Sequence, residues 1–77
     1  MKQRTGIIIK TFRSRGFGYI LDEEGKEIYF HAAGTVKPKF EKLREGNAVK
    51  YYLAESSRGV RAIGVVATRA EEREDAV

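Results

Sequence analysis

The sequence predicts an all-β fold, a small five-stranded antiparallel barrel that forms a single domain. Five short runs rich in β-branched and aromatic residues alternate with turns that contain glycine, serine or acidic residues. None of these runs has a sustained helical period. The connection between the third and fourth runs is much longer than the others. A chain of 77 residues has room for one domain with a modest core.

Local composition places the strands. Glycine-containing turns precede the first two, and the DEEGK stretch at Asp22–Lys26 has the composition of a hairpin loop. Ala32–Glu45 contains the only proline and no sustained period, so we expect a long connection with one helical or 3₁₀ turn. Such a pattern is typical of a closed or partly open Greek-key barrel of the oligonucleotide/oligosaccharide-binding (OB) type. The predicted strands are Ile7–Phe12, Phe17–Leu21, Glu27–His31, Asn47–Glu55 and Val60–Thr68.

The charge is unevenly distributed along the chain. The net charge is +4, but residues 69–77 contain two arginines and four carboxylates, which leaves residues 1–68 at +6. A basic body predicts a polyanionic partner, and nucleic acid is favoured over a membrane surface because no amphipathic basic helix is visible. We assign residues 1–68 to the barrel and residues 69–77 to a charged tail, frayed or marginally helical. The tail's carboxylates either fold back on the basic surface or stay solvated, and the solvated tail is favoured.

Composition argues against several other classes of protein. The absence of cysteine leaves no disulfide or thiolate–zinc framework, and no apolar run reaches the ~18 residues of a membrane span. The first residues contain too few apolar side chains for a signal peptide, so the cytosol is the expected location. His31 is the only histidine, and no phosphate-cradling loop is present. We therefore predict no catalytic residue, cofactor, metal or small-molecule substrate, and interpret the acidic Asp22–Glu24 as solvated turn residues.

The aromatic residues could belong to the core or to the surface. In the second strand Phe17 and Tyr19 share one face with Arg15, while Gly16, Gly18 and Ile20 share the other. Periodicity alone leaves both options open, because a register slip of one residue exchanges the faces. The two glycines favour rings that point outward, since a small barrel needs room inside. If Ile28 and Phe30 point inward in the third strand, Tyr29 and His31 point outward. One surface then carries Phe17, Tyr19, Tyr29 and His31.

Exposed rings among cations suit single-stranded RNA or DNA. Bases stack on aromatic side chains, and basic side chains contact phosphates. Duplex DNA fits less well, because its bases are already stacked and the chain offers no recognition helix. The alternative is a barrel adapted to protein contact within transcription or translation machinery, since tyrosine and phenylalanine are also enriched at protein interfaces. We expect a monomer, and the cations that favour a polyanion are Lys10, Arg15, Arg58 and Arg61.

Three motifs carry a resemblance to a known family. The stretch RGFGYI at residues 15–20 resembles the K-G-F-G-F-I motif of cold-shock domains, and IYFH at residues 28–31 resembles their V-F-V-H motif. LREG at residues 43–46 is similar to their L-x-E-G, and the likeness covers roughly residues 5–67. The resemblance implies an OB barrel that binds single-stranded RNA and DNA and acts as an RNA chaperone without ATP.

The resemblance also implies roles for individual positions. Base-stacking positions of the family fall on Phe17, Tyr19, Tyr29 and His31, and a loop aromatic falls on Phe40 because FEKL is similar to F-K-T-L. The family's basic positions fall on Arg15 and Arg58. Where the family has K-W-F, this chain has Ile9, Lys10 and Thr11, and Ala32 replaces another aromatic. Phe12 would substitute for the missing tryptophan if the strand bulges, although packing in the core or a loop is favoured. The expected footprint is therefore smaller than the family's.

Overall fold

The computed structural model describes residues 2–37 and 40–68, so the tail predicted at residues 69–77 lies outside the described residues. Two 3₁₀ turns, Ala32–Gly34 and Phe40–Lys42, lie in the stretch predicted as a long connection. No helix in the described ranges is both long and apolar enough to cross a membrane. The strands are β1 Arg4–Phe12, β2 Phe17–Asp22, β3 Glu27–His31, β4 Thr35–Lys37, β5 Ala48–Ser56 and β6 Gly59–Ala67.

The sheet closes on itself, which confirms the predicted all-β, five-stranded barrel. Its strand order is β3-β2-β1-β5-β6, and β6 pairs again with β3 to complete the barrel. The β1–β2, β2–β3, β1–β5 and β5–β6 pairs are antiparallel, as predicted. The closing β3–β6 pair is parallel instead, and the short β4 also runs parallel to β6. Five strands cannot close with every neighbouring pair antiparallel, because β3 and β6 both run in the direction of β1.

The core is built from side chains that alternate along each strand. Ile8, Ile20 and Ile28 are neighbours across β1, β2 and β3, and each is at least 92% buried. Full burial of such a side chain contributes about 1.5–3 kcal/mol to folding. The inward orientation predicted for Ile20, Ile28 and Phe30 is confirmed by their burial. Among the residues that the structure describes, the core also contains Phe40, Leu43, Val49, Tyr51, Ala62 and Val65.

Gly16, just before β2, and Gly18, within it, are required for different reasons. Gly18 faces inward, where a Cβ atom would lie 2.5 Å from the carbonyl oxygen of Lys10 and 2.9 Å from the Phe30 ring. Gly16 instead ends the turn before β2 with φ +75°, and its N–H donates to the Phe12 carbonyl at 2.9 Å. A side chain at Gly18 would therefore collide with the core, whereas one at Gly16 would strain the backbone.

A β-bulge divides β1 into two halves. Ile8 pairs with Ile20 but Lys10 pairs with Tyr19, so β1 advances two residues while β2 advances one. The extra residue, Ile9, reverses the alternation along the rest of the strand. Ile8 consequently points into the core, while Lys10 and Phe12 point outward on the same side as their β2 partners.

The loop predicted at Asp22–Lys26 is a hairpin turn held by the Asp22 carboxylate. That group accepts the backbone N–H groups of Lys26 and Glu24, each at 2.8 Å. The bond from Lys26 is the main cause that lowers the pKa of Asp22 below its ordinary value. The side chain therefore serves as an Asx-type turn residue. Nowhere in the described ranges do three metal-ligating side chains gather in one place.

Candidate nucleic-acid interface

The outer surface of β1, β2 and β3 carries two rows of cross-strand neighbours. Residues paired across a sheet share a face. The first row runs through Phe12, Phe17 and His31, and the second through Lys10, Tyr19, Tyr29 and, by the parallel pairing of β3 with β6, Arg61. We call these residues the aromatic face.

The rings of the aromatic face pack on one another. Phe12 stacks on Phe17 with ring centroids 4.8 Å apart and planes 23° apart. The Phe17 and Tyr29 rings are tilted by 32° with centroids 5.6 Å apart, so three rings follow one another across the sheet, the first pair stacked and the second tilted. Tyr19 stands at 85° to Phe17 and at 86° to Phe12. Offset and edge contacts of this kind are the favoured geometries of aromatic pairs, and they hold the rings in place before any ligand arrives.

Phe12 lies on this face because of the bulge at Ile9. Strict alternation from the buried Ile8 would have directed Phe12 inward, and packing in the core or a loop was the favoured expectation. The bulge makes that expectation wrong, since Phe12 lies outside the core, pairs with Phe17 and stacks on its ring. Its replacement of the missing tryptophan in binding stays a prediction. Three consecutive isoleucines give no sequence signal for a bulge, because each could equally occupy the inward position.

His31 is oriented by the turn that follows β3. Its Nδ1 atom accepts the backbone N–H of Ala33 at 3.0 Å and so caps the 3₁₀ turn Ala32–Gly34. A nitrogen that accepts a hydrogen bond carries no proton, so the neutral ring carries its proton on Nε2. The exposed imidazole thus offers a hydrogen-bond donor at the end of the first row.

The four predicted cations are all exposed but occupy different places. Lys10 and Arg61 end the second row, beside Tyr19 and Tyr29 respectively. Arg15 lies in the turn between β1 and β2, and Arg58 lies in the turn between β5 and β6. The structure therefore brings two cations into the aromatic face and leaves the other two in turns.

Phe40 belongs to the core, which corrects the expectation that it stacks on a base. It is 7% exposed within the second 3₁₀ turn, and its ring centroid lies 5.8 Å from that of Phe30. The apolar ring packs among buried side chains at this position rather than on the outer surface. Motif similarity identified the residue but did not reveal the direction of its side chain.

An open pocket at the edge of the aromatic face was not predicted. It lies between the turn Ala32–Gly34 and β6, with His31 and Arg61 among its lining residues. The two walls come from segments about thirty residues apart and meet only through the parallel closure of the barrel. Local sequence patterns describe neither that pairing nor the space beside it.

Comparison with known proteins matches the chain to one family. The family described as "'Cold-shock' DNA-binding domain" matches residues 4–68. Cold shock protein CspA of Staphylococcus aureus is 34% identical over 67 residues, which cover 86% of this chain and 97% of that protein. Cold shock-like protein CspC of Bacillus cereus is 30% identical over 59 residues, covering 75% of this chain and 91% of that one.

The fold comparison agrees with the sequence comparison. The solved structure of drosophila Unr CSD456 superposes with a TM-score of 0.73 at 18% sequence identity, over 87% of this chain. This chain spans 27% of that structure, so the likeness concerns the barrel alone. Because the family match extends from the first strand of the barrel to the end of its last strand, the chain belongs to the cold-shock domain family.

Proposed function

We propose that this protein binds single-stranded RNA or DNA by stacking bases on the aromatic face, and that it acts as an RNA chaperone without ATP. The observation that carries the proposal is the series of neighbouring rings Phe12, Phe17 and Tyr29 on the outer surface, one pair stacked and the next tilted. Lys10 and Arg61 lie at the two ends of the neighbouring row, where they would contact the phosphates of a strand stacked on the rings. Membership of a family described as DNA-binding supports the same reading.

The energetics favour passive capture of unpaired strands. Each base stacked on a ring contributes about 1–3 kcal/mol, and every base has a flat face to offer. Opening one base-pair step of a duplex costs on average about 1.4 kcal/mol, so each stacked base offsets roughly one opened step. Binding several unpaired bases therefore opposes short secondary structures without any source of chemical energy.

The chain reaches this surface by a different arrangement from the one its family suggests. Lys10 occupies the position where tryptophan is expected, and it is the cross-strand neighbour of Tyr19. Phe12 supplies a ring two residues further along, which the bulge turns outward. A cation and a displaced ring thus replace one stacking position. We therefore expect oligonucleotide binding to depend more strongly on salt and to cover fewer nucleotides than is usual for the family.

A titration tests the site directly. A labelled oligouridine of about seven nucleotides, within the range that OB folds cover, is titrated with the parent protein and with Phe17→Ala. Loss of one stack weakens binding by roughly 5–150-fold. Leu21→Ala is the matched control, because Leu21 is a 36% exposed residue of the same strand outside the aromatic face. Absence of binding by the parent at low salt, or equal binding by Phe17→Ala, contradicts the proposal.

A hairpin-opening assay tests the chaperone activity separately. An RNA hairpin with a fluorophore and a quencher at its ends should brighten as protein is added, in buffer that contains no nucleotide triphosphate. The parent should open a short stem at saturation, and Phe17→Ala should require a proportionately higher concentration. Tight binding to the unpaired oligonucleotide without hairpin opening would retain the binding function and reject the chaperone.

One observation favours the alternative of a protein-contact barrel. Ile7 and Leu21 are 48% and 36% exposed and lie next to each other across β1 and β2. Their aliphatic side chains cannot offer a base the flat stacking surface of a ring. Salt separates the two functions, since binding through phosphates weakens steeply between about 50 and 200 mM salt, whereas an apolar protein contact does not.

A further inference from the structure

The open pocket at the edge of the aromatic face is separate from the stacked rings. Ala33 and Gly34 form one wall, Ile63 and Gly64 of β6 form the opposite wall, and His31 and Arg61 stand at the rim. Its volume of about 290 Å³ is at the lower end of the range for small-ligand sites. A space of this size suits part of a longer ligand, such as one nucleotide of a strand.

The pocket continues from both rows of the aromatic face. His31 is the cross-strand neighbour of Phe17 and ends the first row, while Arg61 is the neighbour of Tyr29 and ends the second. A strand that stacks on the rings and leaves the face across β3 therefore passes between these two side chains. The next nucleotide then lies over the pocket.

The rim offers hydrogen-bond donors. His31 presents Nε2–H because its Nδ1 is occupied by the backbone of Ala33, and Arg61 presents a guanidinium group. None of the residues that line the pocket is acidic. The matching ligand groups are acceptors, namely phosphate oxygens and the carbonyl oxygens of a base.

Each wall of the pocket contains one glycine, Gly34 in the 3₁₀ turn and Gly64 in β6. A Cβ atom on Gly34 would lie 3.3 Å from the carbonyl oxygen of Ala62, because the 3₁₀ turn packs closely on β6. Gly64 has φ +59° at an irregular point in the β5–β6 pairing, where most side chains would be strained. A side chain at Gly34 would therefore crowd the β6 backbone beside the pocket, and one at Gly64 would be strained and would press on the Tyr52 ring, 3.3 Å from its Cβ position.

We propose that this pocket binds the nucleotide adjacent to those stacked on the aromatic face, through its phosphate and its base carbonyl groups. The proposal rests on the proposed function, since a strand on the rings delivers that nucleotide. It extends the site across β3 and assigns His31 a donor role in addition to any stacking.

Amide chemical shifts test the pocket without any substitution. In a titration of ¹⁵N-labelled protein with oligouridine, Gly18 reports on the aromatic face, and Gly34 and Gly64 report on the pocket. Gly25 and Gly46 are controls, because they lie in open turns with nothing within 4 Å of a Cβ position. We expect Gly34 and Gly64 to shift together with Gly18 while both controls stay unchanged.

The possible results separate the two proposals. A shift of Gly18 alone overturns the pocket and leaves binding on the rings intact. Absence of any shift overturns both, since no strand is then bound.

A substitution that fills the pocket gives an independent measurement. Ala33→Leu places an apolar side chain in the space and leaves the backbone bond to His31 in place. We expect binding of the same oligouridine to weaken by about ten-fold, equivalent to one favourable subsite. Ala48→Leu is the matched control, because Ala48 pairs with Ile7 outside the aromatic face. Unchanged affinity of Ala33→Leu, confirmed as folded by circular dichroism, overturns the pocket.

Discussion

The inner and outer faces of β2 and β3 differ in chemistry although the same strands make both. The inner residues are aliphatic or small apart from one ring, and all are buried: Gly18, Ile20, Ile28 and Phe30. The outer residues on the same stretch are aromatic or imidazole side chains, partly buried or exposed: Phe17, Tyr19, Tyr29 and His31. In so small a chain, burial of these rings would add to the stability of the core. None of the four nevertheless belongs to the buried core.

Gly18 lies on the inner face of β2, between the outward-facing Phe17 and Tyr19. Its missing side chain lets the Phe30 ring approach the β2 backbone, because a Cβ atom on Gly18 would lie 2.9 Å from that ring. The outer rings instead cover part of their apolar surface by packing on one another. The comparison teaches that substitution on the inner face should affect folding, whereas substitution on the outer face should affect binding.

The neighbours Phe30 and Tyr29 give the largest expected contrast. Phe30→Ala removes a fully buried ring and should cost about 3–5 kcal/mol of the free energy of unfolding, comparable to the whole stability of a domain this small. Tyr29→Ala should instead weaken oligonucleotide binding by roughly 5–150-fold. Thermal unfolding and titration of both variants measure the contrast. A larger loss of stability in Tyr29→Ala than in Phe30→Ala would invalidate the division into faces.

Phe12→Ala sharpens the comparison within β1. Because the bulge turns Phe12 onto the outer face, its removal should weaken binding by about the same 5–150-fold as loss of any other stack. Ile7→Ala is the control, since Ile7 lies before the bulge and is 48% exposed outside the aromatic face. If both variants bind like the parent, Phe12 is only a packing partner of Phe17.

The cations at the ends of the second row should alter the salt dependence of binding rather than its stacking. Lys10→Gln and Arg61→Gln should each reduce the slope of log affinity against log salt by about 0.7, the value for one phosphate on a single strand. Lys26→Gln in the β2–β3 turn is the control for loss of charge away from the aromatic face. Parallel slopes for the parent and the two row variants would show that neither cation contacts phosphate.

Much of this division could be predicted from the sequence, because successive side chains of a strand point to opposite faces of the sheet. The inward positions of Ile20, Ile28 and Phe30 follow from period two together with the space that Gly18 provides. The fourth predicted strand shows the same regularity, since Val49 and Tyr51, two residues apart, are both buried.

The remaining features depend on interactions that local patterns do not contain. The bulge at Ile9 is a property of the β1–β2 register, and it cannot be located from residues 7–9 because all three are isoleucine. Phe40 is buried through its contact with Phe30, ten residues earlier in the sequence. The parallel closure of β3 on β6 joins segments distant in sequence, so neither the closure nor the pocket beside it leaves a periodic signal.

Tyr51 is a core residue whose substitution should stabilise the protein. Its side chain is fully buried, and its hydroxyl has no hydrogen-bond partner among the described residues. A buried, unpaired hydroxyl costs about 1–3 kcal/mol, so Tyr51→Phe should raise the free energy of unfolding by about 1 kcal/mol after partial relaxation. Burial also raises the pKa of Tyr51 above its ordinary value.

The raised pKa of Tyr51 gives this prediction a second signature. Above about pH 10 the unfolded tyrosine releases its proton first, so the parent should lose stability as the pH rises toward the folded pKa. Tyr51→Phe cannot titrate, and its advantage over the parent should therefore widen between neutral and strongly alkaline pH. Urea unfolding of both proteins at the two pH values measures the change. A lower stability of Tyr51→Phe at neutral pH, or a difference independent of pH, would mean that the hydroxyl has a partner in solution.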